Sequence, residues 1–396
     1  MSKRQKPYGV LLATGLRTHQ ENYALAFAAD PRCRLIAVTD EADVPPHRAA
    51  WNRKFADKMN LPYIPDLDDA LARDDVDIVS VCSEHERRGR VAVKCAQAGK
   101  HLYLDKPMTC SVADADAVVA AVEKAGVRSQ MFSFIYSPWA QSAKKAVEAG
   151  AVGELVAVHC DMMFAKGNPG TAPPGKQRKQ DPHPTRFTFV DSKRELRATG
   201  VYAVGLIRWL TGCEVSTVFG VTANYFFAEH AKNDVEDFGL LAFTFDNPPQ
   251  PPRKRVGNIT ATVASGRIGW MSHPQGGPNC VYLIGTEGTL KIDTYQPRIE
   301  VYADEPPWMK PPIHLEDPMS FWSSTQDEVN TQPKRGWVVL RDEGESSNDA
   351  SHFVDCIESE RESEMSAKDG AAVVEVLMAG YVSAAKGDVI SLPLPR

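Results

Sequence analysis

The stretch "HLYLDKPMTCS" (residues 101–111) sets one cation, Lys106, between an acid and a proline, directly after residues that read as a strand. An ammonium there can orient a ligand oxygen and stabilise negative charge developing on it. Pro107 fixes its own φ and biases the preceding residue away from helix, so the direction of the Lys106 side chain is preset. Taken alone, Lys106 also reads as a surface lysine before a turn.

A second candidate region is "ATGLRTHQENYA" (residues 13–24), which follows the apolar run "YGVLLA" where a dinucleotide-binding protein carries GxGxxG. Ala13, Gly15 and Thr18 occupy the three glycine positions, so only the middle glycine is present. Gly15 is expected to bring backbone N–H groups to a phosphate at the following helix N-terminus. Ala13 is expected to cost roughly 1 kcal/mol if its turn needs positive φ, and Thr18 to push helix and strand apart. Asp40, closing "RLIAVTD", is placed to accept both adenine-ribose hydroxyls and to repel a 2′-phosphate, which favours NAD. Arg17 argues the other way, because a guanidinium accommodates that phosphate, so NADP stays open. An ordinary solvated acid at a strand end is the plainer reading of Asp40.

These residues need strands to hold them. From residue 8 to about 134, "YGVLLA", "RLIAVTD", "VDIVSVCS", "HLYLD" and "RSQMFSF" read as short strands with helical patterns between them. The clearest helix spans 112–124, with Ser111 and Asp114 at capping-box spacing and Gly126 as its stop. Strand–helix alternation of this kind predicts an α/β Rossmann domain with a doubly wound parallel sheet over residues 1–130. Lys106 then stands at the carboxyl end of a parallel strand, on the ligand crevice.

After a helix marked by Ser137, Pro138 and Gly150 the grammar changes. "GELVAVHCDMMF", "STVFGVTANYFF", "GLLAFTFD", "GNITATVAS", "NCVYLIGT" and "GTLKID" follow as successive strands. They predict an α+β domain over 131–396 with a large, mostly antiparallel open sheet for substrate binding. Segments 166–186 and 304–336, rich in Pro, Gly and charge, are expected to be irregular, either lids or solvated insertions. The tail predicts two helices, the second opened by Ser366 with Asp369, and a closing strand.

Composition bounds the rest. The 396 residues exceed one ordinary core, and the formal net charge of -6 lacks the positive surface that nucleic acid requires. No apolar run is long enough for a signal peptide core or a membrane span, so a cytoplasmic protein is expected. The eight cysteines are scattered without metal-ligand spacing, and no metal or disulfide framework is expected.

Over nearly its whole length the chain resembles the glucose-fructose oxidoreductase, inositol dehydrogenase and rhizopine-catabolism (Gfo/Idh/MocA) family. "AGKHLYLDKP" is similar to the family's AGKHV-x-x-EKP signature, "GAVGELVAV" to the start of its large sheet and "GTEGTLKID" to its late strand. The resemblance implies that Lys106 is the catalytic-site lysine. It implies cofactor contacts from Ala13, Gly15, Leu16, Arg17, Thr18, Asp40, Cys82, Ser83, Glu84, His85, Asp105 and Lys106. It also implies a homodimer or homotetramer through the C-terminal sheet. Against the family's Asp-x-Gly-x-His or Asp-x-Gly-x-Tyr motif, "RATGVYAVGLIRWLTG" matches the tyrosine branch at Gly200 and Tyr202, with Ala198 in place of the aspartate. Asp105 replaces a glutamate, and Arg88 a histidine.

On this reading a sugar, cyclitol or polyol hydroxyl is oxidised, or the carbonyl reduced, by hydride transfer. Tyr202 or Lys106 handles the proton, and Lys106, Tyr136, Arg197 and Tyr202 touch substrate. An ammonium about 4 Å from the phenol oxygen would favour phenolate by roughly 4 kcal/mol, lowering a pKa near 10 by about 3 units. Tyr202 also reads as a core aromatic and Arg197 as a solvated arginine, while His183 and Arg186 are weaker substrate candidates. Two alternatives stand beside the dehydrogenase: redox-cycling elimination or hydrolysis of a glycoside, and a nucleotide-binding regulator without turnover.

Overall fold

The computed structural model describes residues 6–166, 194–245, 259–269, 279–293, 298–303, 336–340 and 349–396. Strands β1 (Tyr8–Ala13), β2 (Cys33–Thr39), β3 (Tyr63–Ile64), β4 (Ile78–Val81), β5 (His101–Leu104) and β6 (Ser129–Met131) form one sheet. Every pairing in it is parallel, in the order β3-β2-β1-β4-β5-β6. All residues of β1 and β4 are buried, as expected of central parallel strands covered on both faces. The order reverses between β1 and β4, which leaves a crevice beyond their carboxyl ends. β3, with only two residues, is too short to show a sequence pattern.

The helix signals translate into geometry. Helix Val112–Ala125 has Ser111 as N-cap, its Oγ accepting from the Asp114 amide, and ends on Gly126 in the left-handed region. Helix Pro138–Glu148 starts after Ser137, but that hydroxyl donates to Phe134 O instead of capping. Helix Ala367–Lys386 carries the full Ser366–Asp369 capping box.

The second sheet contains β7 (Leu155–Lys166), β8 (Val215–Ala223), β9 (Phe238–Phe245), β10 (Thr260–Gly269), β11 (Asn279–Gly285), β12 (Gly288–Asp293), β13 (Arg298–Ala303), β14 (Gly336–Leu340) and β15 (Ile390–Ser391). Their order is β14-β13-β12-β11-β7-β10-β9-β8-β15. It is antiparallel except between β7 and β10, which pair in parallel over their length. Helices Glu195–Thr211 and Ala367–Lys386 cover one face. The second comes so close that a Cβ on Gly220 of β8 would lie 2.4 Å from the Gly380 carbonyl oxygen, so Gly220 is held to glycine by contact with that backbone.

The core runs through the seam between the sheets. Leu104, Met108 and Met131 of the first pack in one cluster with Val204, Val373 and Leu377 of the second. Helix Asp349–Glu358 returns to the first sheet, where Phe353, Val354 and Ile357 join Tyr8, Phe27 and Tyr103. Of the two segments expected to be irregular, Lys166 ends β7 and Gly336 opens β14. The remainder of both, with His183 and Arg186, lies outside the described residues. All eight cysteines are free thiols, and no helix among the described residues is long and apolar enough to cross a membrane.

Candidate active site

Lys106 lies two residues past β5, where the parallel sheet opens onto the second domain. It is 4% exposed, its peptide bond to Pro107 is cis, and its Nζ donates to the carbonyl oxygen of Ala198 at 2.7 Å. The same Nζ stands 4.4 Å from the centroid of the Tyr202 ring. Lys106 and Tyr202, 96 positions apart by their numbers, therefore meet at the seam.

The loop that carries the lysine is held by Asp105. Its carboxylate accepts from Arg88 Nη2 at 2.7 Å, from the Tyr23 hydroxyl at 2.7 Å and from the Lys106 amide at 2.8 Å, and His19 Nδ1 lies 2.8 Å away. Burial opposes charge on Asp105, but Arg88 and His19 outweigh it and hold the carboxyl well below the usual carboxylate range. Arg88 also donates to Ser83 O and Pro107 O, tying the loop after β4 to the lysine loop. Asp105 and Arg88 thus position Lys106. His19 and Tyr23 do the same from the first helical region, and no spacing rule connects residues so distant in sequence.

Tyr202 is half-buried among aromatic rings. It stacks on Phe134 at 4.2 Å and 8°, and meets Phe132 at 6.2 Å and Phe164 at 5.9 Å. Its hydroxyl has no hydrogen-bond partner among the described residues. The expected depression of its pKa is overturned: burial and the Asp105 charge push the phenol up, against a smaller lowering by Arg267. The physical reason is placement, since the Lys106 ammonium contacts the face of the ring and not the oxygen.

Two further substrate candidates are placed elsewhere. Tyr136 is turned into the domain junction, where its hydroxyl meets Ser363 Oγ at 2.5 Å and accepts from the Met365 amide at 3.1 Å, with its ring 4.4 Å from that of His352. Arg197 lines a cavity of about 740 Å³ with Arg194, Glu236 and Tyr381, and neither Lys106 nor Tyr202 lines that cavity. A helix turns about 100° per residue, so the neighbour of Ala198 faces another way.

At the dinucleotide loop, the positive φ falls on Thr14 and Arg17, and Ala13 is an ordinary strand residue without the anticipated strain. The Gly15 amide donates to Asn52 Oδ1 at 2.9 Å, and a Cβ there would come 2.9 Å from that of Phe55. Gly15 is therefore required by the close approach of helix Pro46–Met59, and the amide expected to meet phosphate is already engaged. Thr18 Oγ1 donates to Gly15 O at 2.7 Å and accepts from the Gln20 amide, so it braces the turn instead of prying it open. Leu16 O accepts from Arg48 Nη1 at 2.7 Å.

Asp40 is 2% exposed and does not present its carboxylate outward. Arg87 donates to both of its oxygens, at 2.5 and 3.1 Å, and Asn52 Nδ2 donates at 2.7 Å. Glu84 pairs with Arg87 and with the buried Arg48, and these cations overcome burial to hold its carboxyl low. Cys82, Ser83 and His85 are buried beside it, past the end of β4. Ser83 Oγ and, in the first turn of helix Gln20–Ala29, Gln20 Nε2 are buried without hydrogen-bond partners. Unsatisfied polar atoms at the ends of these two elements fit a polar dinucleotide in the crevice.

A parallel sheet with its reversal point beside a buried lysine has the architecture of a dinucleotide-binding fold. Residues 14–133 match the oxidoreductase family with NAD-binding Rossmann fold, and residues 140–291 match the GFO/IDH/MocA C-terminal domain. The chain belongs to the Gfo/Idh/MocA family of NAD-binding oxidoreductases. It is 25% identical to scyllo-inositol 2-dehydrogenase (NAD(+)) of Bacillus subtilis (strain 168) over 270 residues, covering 67% of each chain. It is 23% identical to the uncharacterized oxidoreductase YrbE of the same organism over 270 residues, 67% of this chain and 68% of that one. Its fold is shared with levoglucosan dehydrogenase in complex with NADH and L-sorbose, at TM-score 0.72 and 18% identity, over 98% of this chain and 99% of that one. It is also shared with the aldose-aldose oxidoreductase from Caulobacter crescentus, at TM-score 0.69 and 21% identity, over 98% and 100%.

Proposed function

We propose that the protein is an NAD(P)-dependent dehydrogenase acting on a CH–OH group of a sugar, cyclitol or related polyol, with Lys106 as its catalytic residue. The observation that carries this reading is the buried Lys106 ammonium, fixed on Ala198 O and in contact with Tyr202 at the domain seam. The inositol, levoglucosan and aldose enzymes among its relatives and fold neighbours support the substrate class.

The nicotinamide of a bound dinucleotide supplies hydride acceptance and donation. Ser83 and Gln20 would help hold the dinucleotide through their unsatisfied polar atoms. Lys106, an ammonium with three donors, keeps Ala198 O and offers a charge-assisted hydrogen bond to the substrate oxygen. In the oxidative direction it takes the hydroxyl proton as the neutral amine; in the reductive direction it returns that proton to the carbonyl oxygen. Tyr202 stays a neutral phenol and donates to a second substrate oxygen. Phe134, Phe164 and the Tyr202 ring keep water from the reacting carbon.

A homodimer or homotetramer forms through the open face of the second sheet. Phe219, Val221 and Leu240 support this: they are 39%, 43% and 42% exposed, and Val221 and Leu240 are paired neighbours across β8 and β9.

The test is a screen of NAD and NADP reduction over a panel of cyclitols, aldoses, polyols and glycosides. One reduced cofactor per oxidised product supports the reading. Glycoside cleavage without net reduction would replace it by the redox-cycling reaction, and nucleotide binding without any turnover would replace it by a regulator.

A further inference from the structure

The end of the crevice that would hold the adenosine ribose contains a charge arrangement that the β2-end acid alone does not imply. Asp40 receives five donors: Arg87 Nη1 and the Glu41 amide on Oδ1, and Arg87 Nη2, Asn52 Nδ2 and Thr14 Oγ1 on Oδ2, at 2.5, 2.9, 3.1, 2.7 and 3.3 Å. A carboxylate offers about four acceptor sites, so none is left for a ribose diol. Arg87 sets a positive charge against Asp40 that it shares with Glu84 and Glu41, and it is 3% exposed, so water does not compete for it.

The pair continues into a network of alternating charge, in which Glu41 also pairs with Arg87 at 3.1 Å. Arg87 pairs with Glu84, Glu84 with Arg48, and Arg48 stands 5.0 Å from the Trp51 ring. Arg17 lies over the same ring at 4.9 Å, is exposed and makes no ion pair among the described residues. An acid that would repel a 2′-phosphate thus has a buried cation against it, and an exposed guanidinium with no carboxylate partner lies over the same tryptophan. Guanidinium groups bind phosphate bidentately and keep their charge at every working pH.

We infer that Arg87 sets cofactor choice: by opposing the charge of Asp40 it makes the ribose end permissive, so that the protein takes a 2′-phosphorylated dinucleotide at least as well as an unphosphorylated one, with Arg17 as the phosphate contact. The inference rests on the dinucleotide-dependent reading above and concerns this chain's own residues.

Calorimetric titration of the full chain with 5′-AMP, adenosine 2′,5′-bisphosphate, NAD and NADP tests it without turnover. The phosphorylated member of each pair is expected to bind within about threefold of its partner or tighter, and Arg17→Ala to weaken only the phosphorylated members, by about tenfold. Arg87→Met, which uncovers the Asp40 charge, is expected to shift the ratio by about tenfold toward the unphosphorylated ligands. Asp40→Asn keeps the shape and serves if Arg87→Met does not fold; it is expected to change 5′-AMP affinity by less than about threefold. A wild-type preference for 5′-AMP and NAD of about tenfold or more, or a similar loss of 5′-AMP binding in Asp40→Asn, would overturn the inference and return Asp40 to the ribose. Binding of none of the four ligands would instead overturn the dinucleotide reading itself.

Discussion

The ammonium of Lys106 and the carbonyl oxygen of Ala198, 92 residues apart in the chain, are joined at 2.7 Å. In this protein a backbone oxygen neighbours the lysine at the position where the family motif carries an aspartate, and the partner contributes a dipole without a full charge. Ala198→Asp would add that charge. An opposite charge within ~4–6 Å favours the protonated amine by about 1–3 pKa units. The oxidative pH–rate limb is therefore expected to move to higher pH in Ala198→Asp, and an unmoved limb would show that Lys106 is not the group that titrates.

Tyr202 gives the complementary test. Burial raises its phenol above the ordinary value near 10, so the hydroxyl stays neutral from about pH 6 to pH 10. Tyr202→Phe is expected to lower kcat/KM by about tenfold, the value of one hydrogen bond to a polar substrate, while leaving the shape of the pH–rate profile unchanged. Loss of a pH limb in the variant would mean that the tyrosine carries the proton.

The Arg88–Asp105 pair is a prediction about stability. The folded pKa of Asp105 lies below its unfolded value near 3.9, so its contribution is fully present above about pH 4 and is lost as pH falls through the folded value. Removing Arg88 leaves a buried carboxylate with fewer partners, and Arg88→Met is expected to cost about 3–5 kcal/mol in denaturant unfolding at pH 7. The deficit should shrink in acid, once the carboxyl is protonated; a deficit that persists there would assign the loss to packing.

Tyr136 is expected to matter for folding alone. Tyr136→Phe removes hydrogen bonds to Ser363 and the Met365 amide at the domain junction, costing about 1–2 kcal/mol, with KM unchanged. A KM that rises while the unfolding midpoint stays fixed would place the hydroxyl at the substrate after all.

What could be read in the chain alone follows from local physics. The five longer strands of the first sheet, the Ser111 and Ser366 caps and the Lys106–Pro107 corner are signalled within a few residues of themselves. The parallel pairing of β7 with β10 is not, because strand periodicity does not encode direction. Side-chain aim was equally hidden. Asp40 stands at the expected strand end, yet Arg87, 47 residues on, folds over it. Tyr136 faces inward through a serine 227 residues away. The electrostatics of Tyr202 turned on whether the ammonium meets its oxygen or its ring, a difference of a few ångströms that no spacing records.

The most direct measurement is single-turnover hydride transfer by Lys106→Met, with dinucleotide affinity titrated separately on the same preparation. The expected result is cofactor binding within about threefold of wild type and hydride transfer slower by at least about a hundredfold. Near-normal transfer with the lysine gone would contradict the account.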